Sequence, residues 1–386
     1  MGAEAFSTET KRLKILDVYK GLAILGVIVT HLVLLQNGTT GKGGNPSALV
    51  QFMFSGLLMF MVISGYFYKP GRTYLENVKK RVIPLFLIAV AGTTVMTLIL
   101  FVYMVALGYD ASYNPFLLIL RVIISKGVGL EIGSDEYADA CTILAPYDAC
   151  VMIYYLIILS LGYLIFYAIA DRVLKDWRVT IATAFVLLLI SSFYVGFVKI
   201  QLPFFAQYAP MVAALLLVGA LLAKYKVADI LENGYRTKVF WIGLVASIVC
   251  AALCLIFLPA ETDIVQGKIG TYAPFNVVTL AITSVSCGMV QLYIASLFMR
   301  IPGISNLFSL MGFNILYLYL LHVMVAKMII APFVTIGTDV YIPLAIMPAL
   351  ALAFGTIAII LVMSYIYRRI KPKMLEKIHE RKAQEQ

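Results

Sequence analysis

The stretch Ile15-Leu-Asp-Val-Tyr-Lys-Gly-Leu-Ala-Ile-Leu-Gly-Val-Ile-Val-Thr-His-Leu-Val-Leu-Leu35 decides the fold class of this chain. It is an almost uninterrupted apolar run, and about twenty such residues cross the hydrocarbon core of a bilayer as an α-helix. The run is not a cleavable signal peptide, because it contains ionisable residues, lacks a small-residue cleavage site and is followed by further apolar runs. We therefore interpret it as the first membrane span.

Nine further runs of the same kind follow along the chain. Hydrophobic residues make up 62% of the sequence and charged residues only 13%, a balance far from that of soluble proteins. Since lipid offers no water to the backbone, each run must form a helix. We predict an all-α integral membrane protein with about ten transmembrane helices in one bundle. The predicted spans are residues 15–35, 50–68, 82–107, 148–170, 179–198, 207–223, 239–258, 275–299, 305–332 and 343–367.

The chain is predicted to consist of one membrane domain with two short flanking segments. Residues 1–14 form a cytoplasmic N-terminal segment, residues 15–370 the membrane domain and residues 371–386 a cytoplasmic charged tail. The external segment 108–147 has two interpretations: a surface-lying helix followed by a solvated loop, or a cover over an acceptor site. Cys141 and Cys150 lie at or near the external end of this segment, and the sequence leaves open whether they form a disulfide.

The net charge of +10 indicates membrane topology rather than affinity for nucleic acid. With ten spans, 23 lysines and arginines fall on the side of both termini and five on the opposite side. Positive residues concentrate on the cytoplasmic side of membrane proteins, which places both termini in the cytoplasm. We predict a multi-pass protein of the plasma membrane, with the lipid bilayer as a partner and no nucleic-acid ligand.

Two ionisable residues inside the first span share one helix face. Lys20 and His31 are eleven residues apart, which is three turns plus about 20°, so they lie roughly 16 Å apart along one face. Asp17, three residues before Lys20, joins this face. Cationic and imidazole side chains inside a membrane span usually mark a functional site, such as the pathway of a substrate or an ion. Here they indicate a long substrate with an anionic head, and a general base deeper in the membrane.

A second pair of intramembrane residues, His322 and Lys327, lies in the ninth predicted span. No aspartate or glutamate falls in the middle of any span, which weakens the case for a proton- or sodium-coupled carrier. Zinc-ligand spacings are also missing from the sequence, so we expect no metal. Structural interpretations stay open: Lys20 and Lys327 can extend to the membrane surface, and either histidine can serve only as a hydrogen-bond partner.

Four segments follow one another in an informative order. The first is Asp17-x-x-Lys20-Gly21-x-Ala23 followed by His31, and the second is Phe60-Met-Val-Ile-Ser-Gly-Tyr-Phe67. The third is Lys79-Lys-Arg-Val-Ile-Pro84, and the fourth is Gly312-Phe-Asn-Ile-Leu-Tyr-Leu-Tyr-Leu-Leu-His322. Together they resemble the motifs of the acyltransferase-3 family of multi-span membrane enzymes, and the resemblance covers most of residues 11–370.

The chain departs from the family pattern at two positions. Lys20 stands where the family usually has arginine, which keeps the charge but loses the planar fork suited to phosphate. The family's paired basic motif places arginines six and three residues before the proline. Here the nearer position is Arg81, whereas the farther one is Val78, with Lys79 and Lys80 beside it.

The resemblance implies an acyl-CoA-dependent O-acyltransferase. Such enzymes move an acyl group, most often acetyl, from cytoplasmic acyl-CoA to a hydroxyl of a cell-envelope or exported carbohydrate. We therefore expect acetyl-CoA as donor, with its phosphates held by Lys20, Lys79, Lys80 and Arg81. The expected catalytic residues are His31 as general base, Asp17 as the residue that orients Lys20, and His322, which either shapes the acceptor site or bonds a neighbouring helix. The sequence does not identify the sugar, the acyl group or the oligomeric state.

Two functions from other classes remain open. The first is a polytopic transporter or flippase for an anionic or saccharide solute, and the second is an assembly or sensor protein that keeps the fold without the chemistry. Hydrolysis or transfer from acyl-CoA by the purified protein distinguishes the enzyme from both. Flux of an unchanged solute would instead favour the transporter.

Overall fold

The computed structural model describes residues 13–38, 52–53, 55–106, 151–198, 202–257, 276–325 and 349–369. Almost every residue in these ranges is helical, and the same ranges contain no strand. The predicted all-α fold is therefore confirmed. The external segment with Cys141 and Cys150, the residue Lys327 and the charged tail 371–386 lie outside the described residues.

Helices of very different lengths follow one another along the chain. Two π-helical turns, Val78–Val82 and Tyr194–Val198, and two 3₁₀-helical turns, Pro203–Tyr208 and Gly234–Arg236, lie between α-helices. The α-helices are α1 Lys14–Gly38, α2 Gly56–Tyr66, α3 Tyr74–Asn77, α4 Ile83–Ala106, α5 Val151–Val173, α6 Trp177–Phe193, α7 Ala209–Lys224, α8 Val227–Asn233, α9 Lys238–Phe257, α10 Asn276–Phe298, α11 Pro302–Phe313, α12 Ile315–Val325 and α13 Ala349–Arg369.

Several of these helices are long and apolar enough to cross a membrane. By length and composition, six helices in the described ranges qualify, and a seventh span results if α11 and α12 count as one. The chain is thus a multi-pass membrane protein, but the predicted count of about ten spans is not confirmed. One span is also corrected: residues 305–332 are not a continuous helix, because α11 and α12 meet at a bend of 71°.

The core of the bundle is built around α7 and α10. Their membrane-spanning windows are 72% buried, whereas that of α9 is only 22% buried. α7 packs against α2, α5 and α6, and α10 packs against α1, α2 and α9. A helix surrounded in this way is largely apolar on every side, as the continuous buried run Met211–Leu217 in α7 illustrates.

Glycines allow the central helices to approach closely. A Cβ atom at Gly65 in α2 would collide with the carbonyl oxygen of Leu216 in α7, and one at Gly219 would collide with that of Val62. Small residues at facing positions are typical of membrane helix pairs, because association there depends on van der Waals packing. The C-terminal end of α2 is therefore fixed against α7, which matters for the site described next.

Candidate functional site

Asp17 and Lys20 form a largely buried ion pair near the start of α1. The Nζ atom of Lys20 lies 3.5 Å from Oδ1 of Asp17, and the two side chains keep 20% and 12% of their surface exposed, respectively. Nζ also lies 5.0 Å from the centre of the Phe67 ring, within the range of a cation–π contact. An ammonium carries three N–H donors and no acceptor, which suits it to anionic partners.

A glycine contact between α1 and α11 places this ion pair. A Cβ atom at Gly21 would collide with the carbonyl oxygen of Phe308, and one at Gly312 would collide with that of Asp17. α11 therefore lies directly on the backbone of α1 at the turn that carries Asp17 and Lys20. Any displacement of α11 would move this turn as well.

The end of α2 contacts both the ion pair and α5. Phe67, which follows α2 directly, supplies the ring beside Lys20. The hydroxyl of Tyr163 in α5 donates to the carbonyl oxygen of Ser64 at 3.4 Å. Tyr68 donates a hydrogen bond to Asp171, at the end of α5. The residues 64–68 thus connect the α1 turn to α5.

The predicted phosphate-binding segment Lys79–Arg81 lies in a π-helical turn. The N–H of Ile83 donates to the carbonyl oxygen of Val78, five residues earlier. Pro84 explains this geometry, because it has no N–H to donate to the carbonyl of Lys80 and so interrupts the regular ladder. All three basic side chains of this turn are exposed. Turns of this type occur frequently at functional sites.

A capping box holds the segment before the basic turn. The N–H of Glu76 donates to Oγ1 of Thr73 at 3.3 Å, and the N–H of Thr73 donates to the Glu76 carboxylate at 3.0 Å. The bond from the Thr73 amide, together with the charges of Lys80 and Arg72, lowers the pKa of the Glu76 carboxyl below its ordinary value. Glu76 therefore remains ionised, and it orders the backbone from which the basic turn begins.

The basic turn packs against α5, which carries a stacked pair of tyrosines. The rings of Tyr163 and Tyr167 are nearly parallel, with centroids 5.2 Å apart. Tyr163 in turn bonds Ser64 on α2. Lys20 and the basic turn thus both lie on elements that contact residues 64–68: Lys20 contacts Phe67 directly, and the turn packs against α5. Lys79 and Lys80 are exposed beside Arg81.

His322 is buried in α12 and bonds its own helix. Its Nδ1 atom lies 2.9 Å from the carbonyl oxygen of Leu318 and 3.0 Å from that of Tyr319. A carbonyl oxygen can only accept a hydrogen bond, so in the neutral imidazole the proton is assigned to Nδ1 and the lone pair to Nε2. His322 thus has the tautomer that a proton acceptor acting through Nε2 requires.

His31 belongs to the helical backbone of α1. The helix is continuous from Lys14 to Gly38, so the predicted register between Lys20 and His31 applies, with about 16 Å between them along one face. The side chain of His31 lies outside the described part of the structure. Its role as general base therefore stays a prediction.

A polar cluster at the bend between α11 and α12 was not predicted. Oδ1 of Asn314 accepts from the Ser364 hydroxyl at 3.0 Å and from the Arg368 guanidinium at 2.9 Å. From the sequence, Arg368 is one of the 23 positive residues on the predicted cytoplasmic side. Asn314 could have indicated this cluster from the sequence, because an amide side chain inside an apolar span needs polar partners.

The described ranges contain no group of three or more histidine, cysteine, aspartate or glutamate residues arranged to hold a metal ion. The absence of a metal from the whole protein remains a prediction. Cys250, Cys254 and Cys287 carry free thiols on α9 and α10. The Asp17–Lys20 pair, the basic turn and His322 are the predicted site residues whose side chains the structure describes.

Comparison with protein families matches residues 13–368 to an acyltransferase domain. The matched range includes α1 with Asp17 and Lys20, the basic turn before Pro84, and α12 with His322. Comparisons with curated proteins and with solved structures give no match. Because the family match spans nearly the whole chain, this protein belongs to the acyltransferase-3 family.

Proposed function

We propose that the protein is a membrane-embedded O-acyltransferase that moves an acetyl group from cytoplasmic acetyl-CoA to a hydroxyl of a cell-envelope or exported carbohydrate. The observation that carries this proposal is the placement of two basic groups on elements that meet at the end of α2. The partly buried Lys20 lies beside Phe67, and the Lys79–Arg81 turn packs against α5, which bonds Ser64 through Tyr163. In a family of acyltransferases, such a pair of groups suits a donor whose head carries several phosphates.

Donor binding would begin at the exposed basic turn. Lys79, Lys80 and Arg81 present three positive charges to the medium, and such a cluster attracts a polyanion and raises its local concentration. Lys20, which is less exposed and pairs with Asp17, would hold a phosphate nearer to the bundle. Asp17 would keep the ammonium in place before the donor arrives.

The thin pantetheine arm of the donor would run along α1. The face shared by Lys20 and His31 provides about 16 Å between the phosphate contact and the proposed base. The thioester would then lie next to His31, deeper in the membrane than the nucleotide. This orientation assumes that the basic end of the bundle faces the cytoplasm, as the distribution of lysine and arginine predicts.

Transfer would proceed by general-base catalysis. Neutral His31 takes the proton of the acceptor hydroxyl while the hydroxyl oxygen attacks the thioester carbonyl carbon. The C–O bond forms, the C–S bond breaks, and the leaving thiolate takes the proton back from the imidazolium. The products are an acetyl ester and CoA with a free thiol. A positioned base contributes about 10²–10⁴-fold to such a step, and we place His322 on the acceptor side.

The proposal is tested by incubating the purified protein, in lipid nanodiscs, with acetyl-CoA labelled in the acetyl group. We expect release of free CoA thiol and transfer of label to envelope saccharides. Mass spectrometry of envelope polysaccharides from cells with and without the protein would identify the acceptor. Movement of an unchanged saccharide across vesicles, without thioester consumption, would instead identify a transporter.

A further inference from the structure

The side chain of Asn314 links α11 to α13. It lies at the bend of 71° between α11 and α12 and is only 3% exposed. Its Nδ2 atom donates to the carbonyl oxygen of Leu310 at 2.8 Å, in the last turn of α11. Its Oδ1 atom accepts from Ser364 and Arg368, which both belong to α13. Because the guanidinium is donor-only, the orientation of the Asn314 amide is determined by its partners.

Arg368 also contacts the chain on both sides of the bend. The guanidinium carbon lies 4.5 Å from the ring centre of Phe313, just before Asn314, and 5.9 Å from that of Tyr317, just after it. One planar cation therefore bonds the residue at the bend and covers one ring from each flanking helix. A lysine ammonium could not reproduce both the fork and the stacking.

The bend lies between two parts of the proposed site. Two residues before Asn314, Gly312 packs on the carbonyl of Asp17, whose side chain pairs with Lys20. Eight residues after Asn314, or about 12 Å along α12, lies the buried His322. The angle between α11 and α12 thus determines how the Asp17–Lys20 turn and His322 are placed relative to each other.

We infer that Arg368 is a positioning residue for acyl transfer: through Asn314, and with Ser364, it holds the bend that places the Asp17–Lys20 turn relative to His322. This inference rests on the proposed function for its catalytic part, but the structural part stands on the contacts alone. Arg368 does not need to touch either substrate in this role. The rival interpretation is that Arg368, an exposed cation, binds a donor phosphate directly.

Hydrogen exchange of the protein in nanodiscs tests the structural part without any activity. Arg368→Ala should speed amide exchange in peptides covering residues 310–318 by about tenfold or more, because a charge-assisted bond on a buried amide is lost. Arg369→Ala is the matched control, since this substitution removes the same charge, and among the described residues Arg369 stacks on Tyr365 of its own helix, at 5.3 Å, rather than on the bend. Unchanged exchange in Arg368→Ala would overturn the inference.

A comparison of two donors separates positioning from phosphate binding. Acetyl-pantetheine carries the thioester and the arm but not the nucleotide. If Arg368 positions the site, Arg368→Ala should lower kcat/KM about tenfold with acetyl-CoA and with acetyl-pantetheine alike, while Arg369→Ala stays near wild type. A loss confined to acetyl-CoA would overturn the inference in favour of direct phosphate contact. If wild-type protein transfers no acetyl group, the proposed function fails, whereas the exchange experiment still decides the role of Arg368 at the bend.

Discussion

Replacing Lys20 by methionine removes a partly buried charge while keeping most of the apolar stem of the side chain. At 3.5 Å from Asp17, the gross Coulomb attraction is about 5 kcal/mol at an effective dielectric constant of 20. Desolvation of both groups cancels a large part of this attraction. Since the two side chains are still 20% and 12% exposed, we expect Lys20→Met to lower the free energy of unfolding by about 2 kcal/mol, somewhat less than for a fully buried pair.

The double variant Asp17→Asn/Lys20→Met separates stability from donor binding. It leaves no unpaired charge, so its stability should return to within about 1 kcal/mol of wild type. Its KM for acetyl-CoA should nevertheless stay about 10- to 100-fold above wild type, because a charge-assisted hydrogen bond to phosphate is still missing. Lys20→Arg keeps the charge and should retain much of the activity.

Two measurements check this reasoning: unfolding in detergent for stability, and steady-state kinetics with acetyl-CoA and acetyl-pantetheine for binding. The KM effect should disappear with acetyl-pantetheine, which has no nucleotide phosphates for Lys20 to bind. A double variant with an unchanged KM for acetyl-CoA would refute the binding role. Lys20 would then serve only as the counter-ion of Asp17.

Three further changes test other parts of the site. His31→Ala and His31→Gln should both insert normally and lose transfer activity by at least about 10²-fold. The activity of the wild type should fall on acidification through the range in which imidazole takes up a proton. An equal loss of activity in His322→Ala would indicate a two-histidine site, whereas a small loss would indicate a structural role for His322. Changing Lys79, Lys80 and Arg81 together to glutamine should raise the KM for acetyl-CoA. The difference in KM between this variant and wild type should shrink at high salt, because exposed charges are screened. A difference in KM that does not depend on salt would contradict long-range attraction of the donor. Gly312→Val should lower the free energy of unfolding by about 1–3 kcal/mol or more, because the valine side chain collides with the Asp17 carbonyl. The control Gly303→Val, in the same helix, places its side chain in open space and should cost less. Equal unfolding midpoints for the two variants would contradict the described packing.

The sequence was sufficient for the fold class and for the face shared by Asp17 and Lys20. Both follow from local properties: the length of the apolar runs and the 3.6-residue period of a helix. The prediction of one continuous span over residues 305–332 failed for a related reason. Hydropathy depends on composition within a window, and a bend at Asn314 between apolar helices leaves that composition unchanged.

Contacts between distant segments were beyond such reasoning. Phe67 beside Lys20, the Tyr163 bond to Ser64 and the Arg368 bond to Asn314 join residues far apart in the chain. No local period indicates these partners, since they depend on how α2, α5 and α13 pack. The π-helical turn was in principle accessible, because Pro84 removes the backbone donor that the regular ladder needs at that point.

Acetyl transfer in sealed membrane vesicles of defined orientation tests the central claim most directly. Acetyl-CoA labelled in the acetyl group is supplied on the side that corresponds to the cytoplasm, and saccharide esters are collected and counted for wild type and for His31→Ala. We predict labelled ester for wild type, a loss of at least about 10²-fold for His31→Ala, and no ester when acetyl-CoA is supplied only on the opposite side. Wild-type vesicles that consume no thioester but transport an unchanged saccharide would contradict the proposed acyl transfer. Full activity of a folded His31→Ala protein would contradict the role of His31 as the general base.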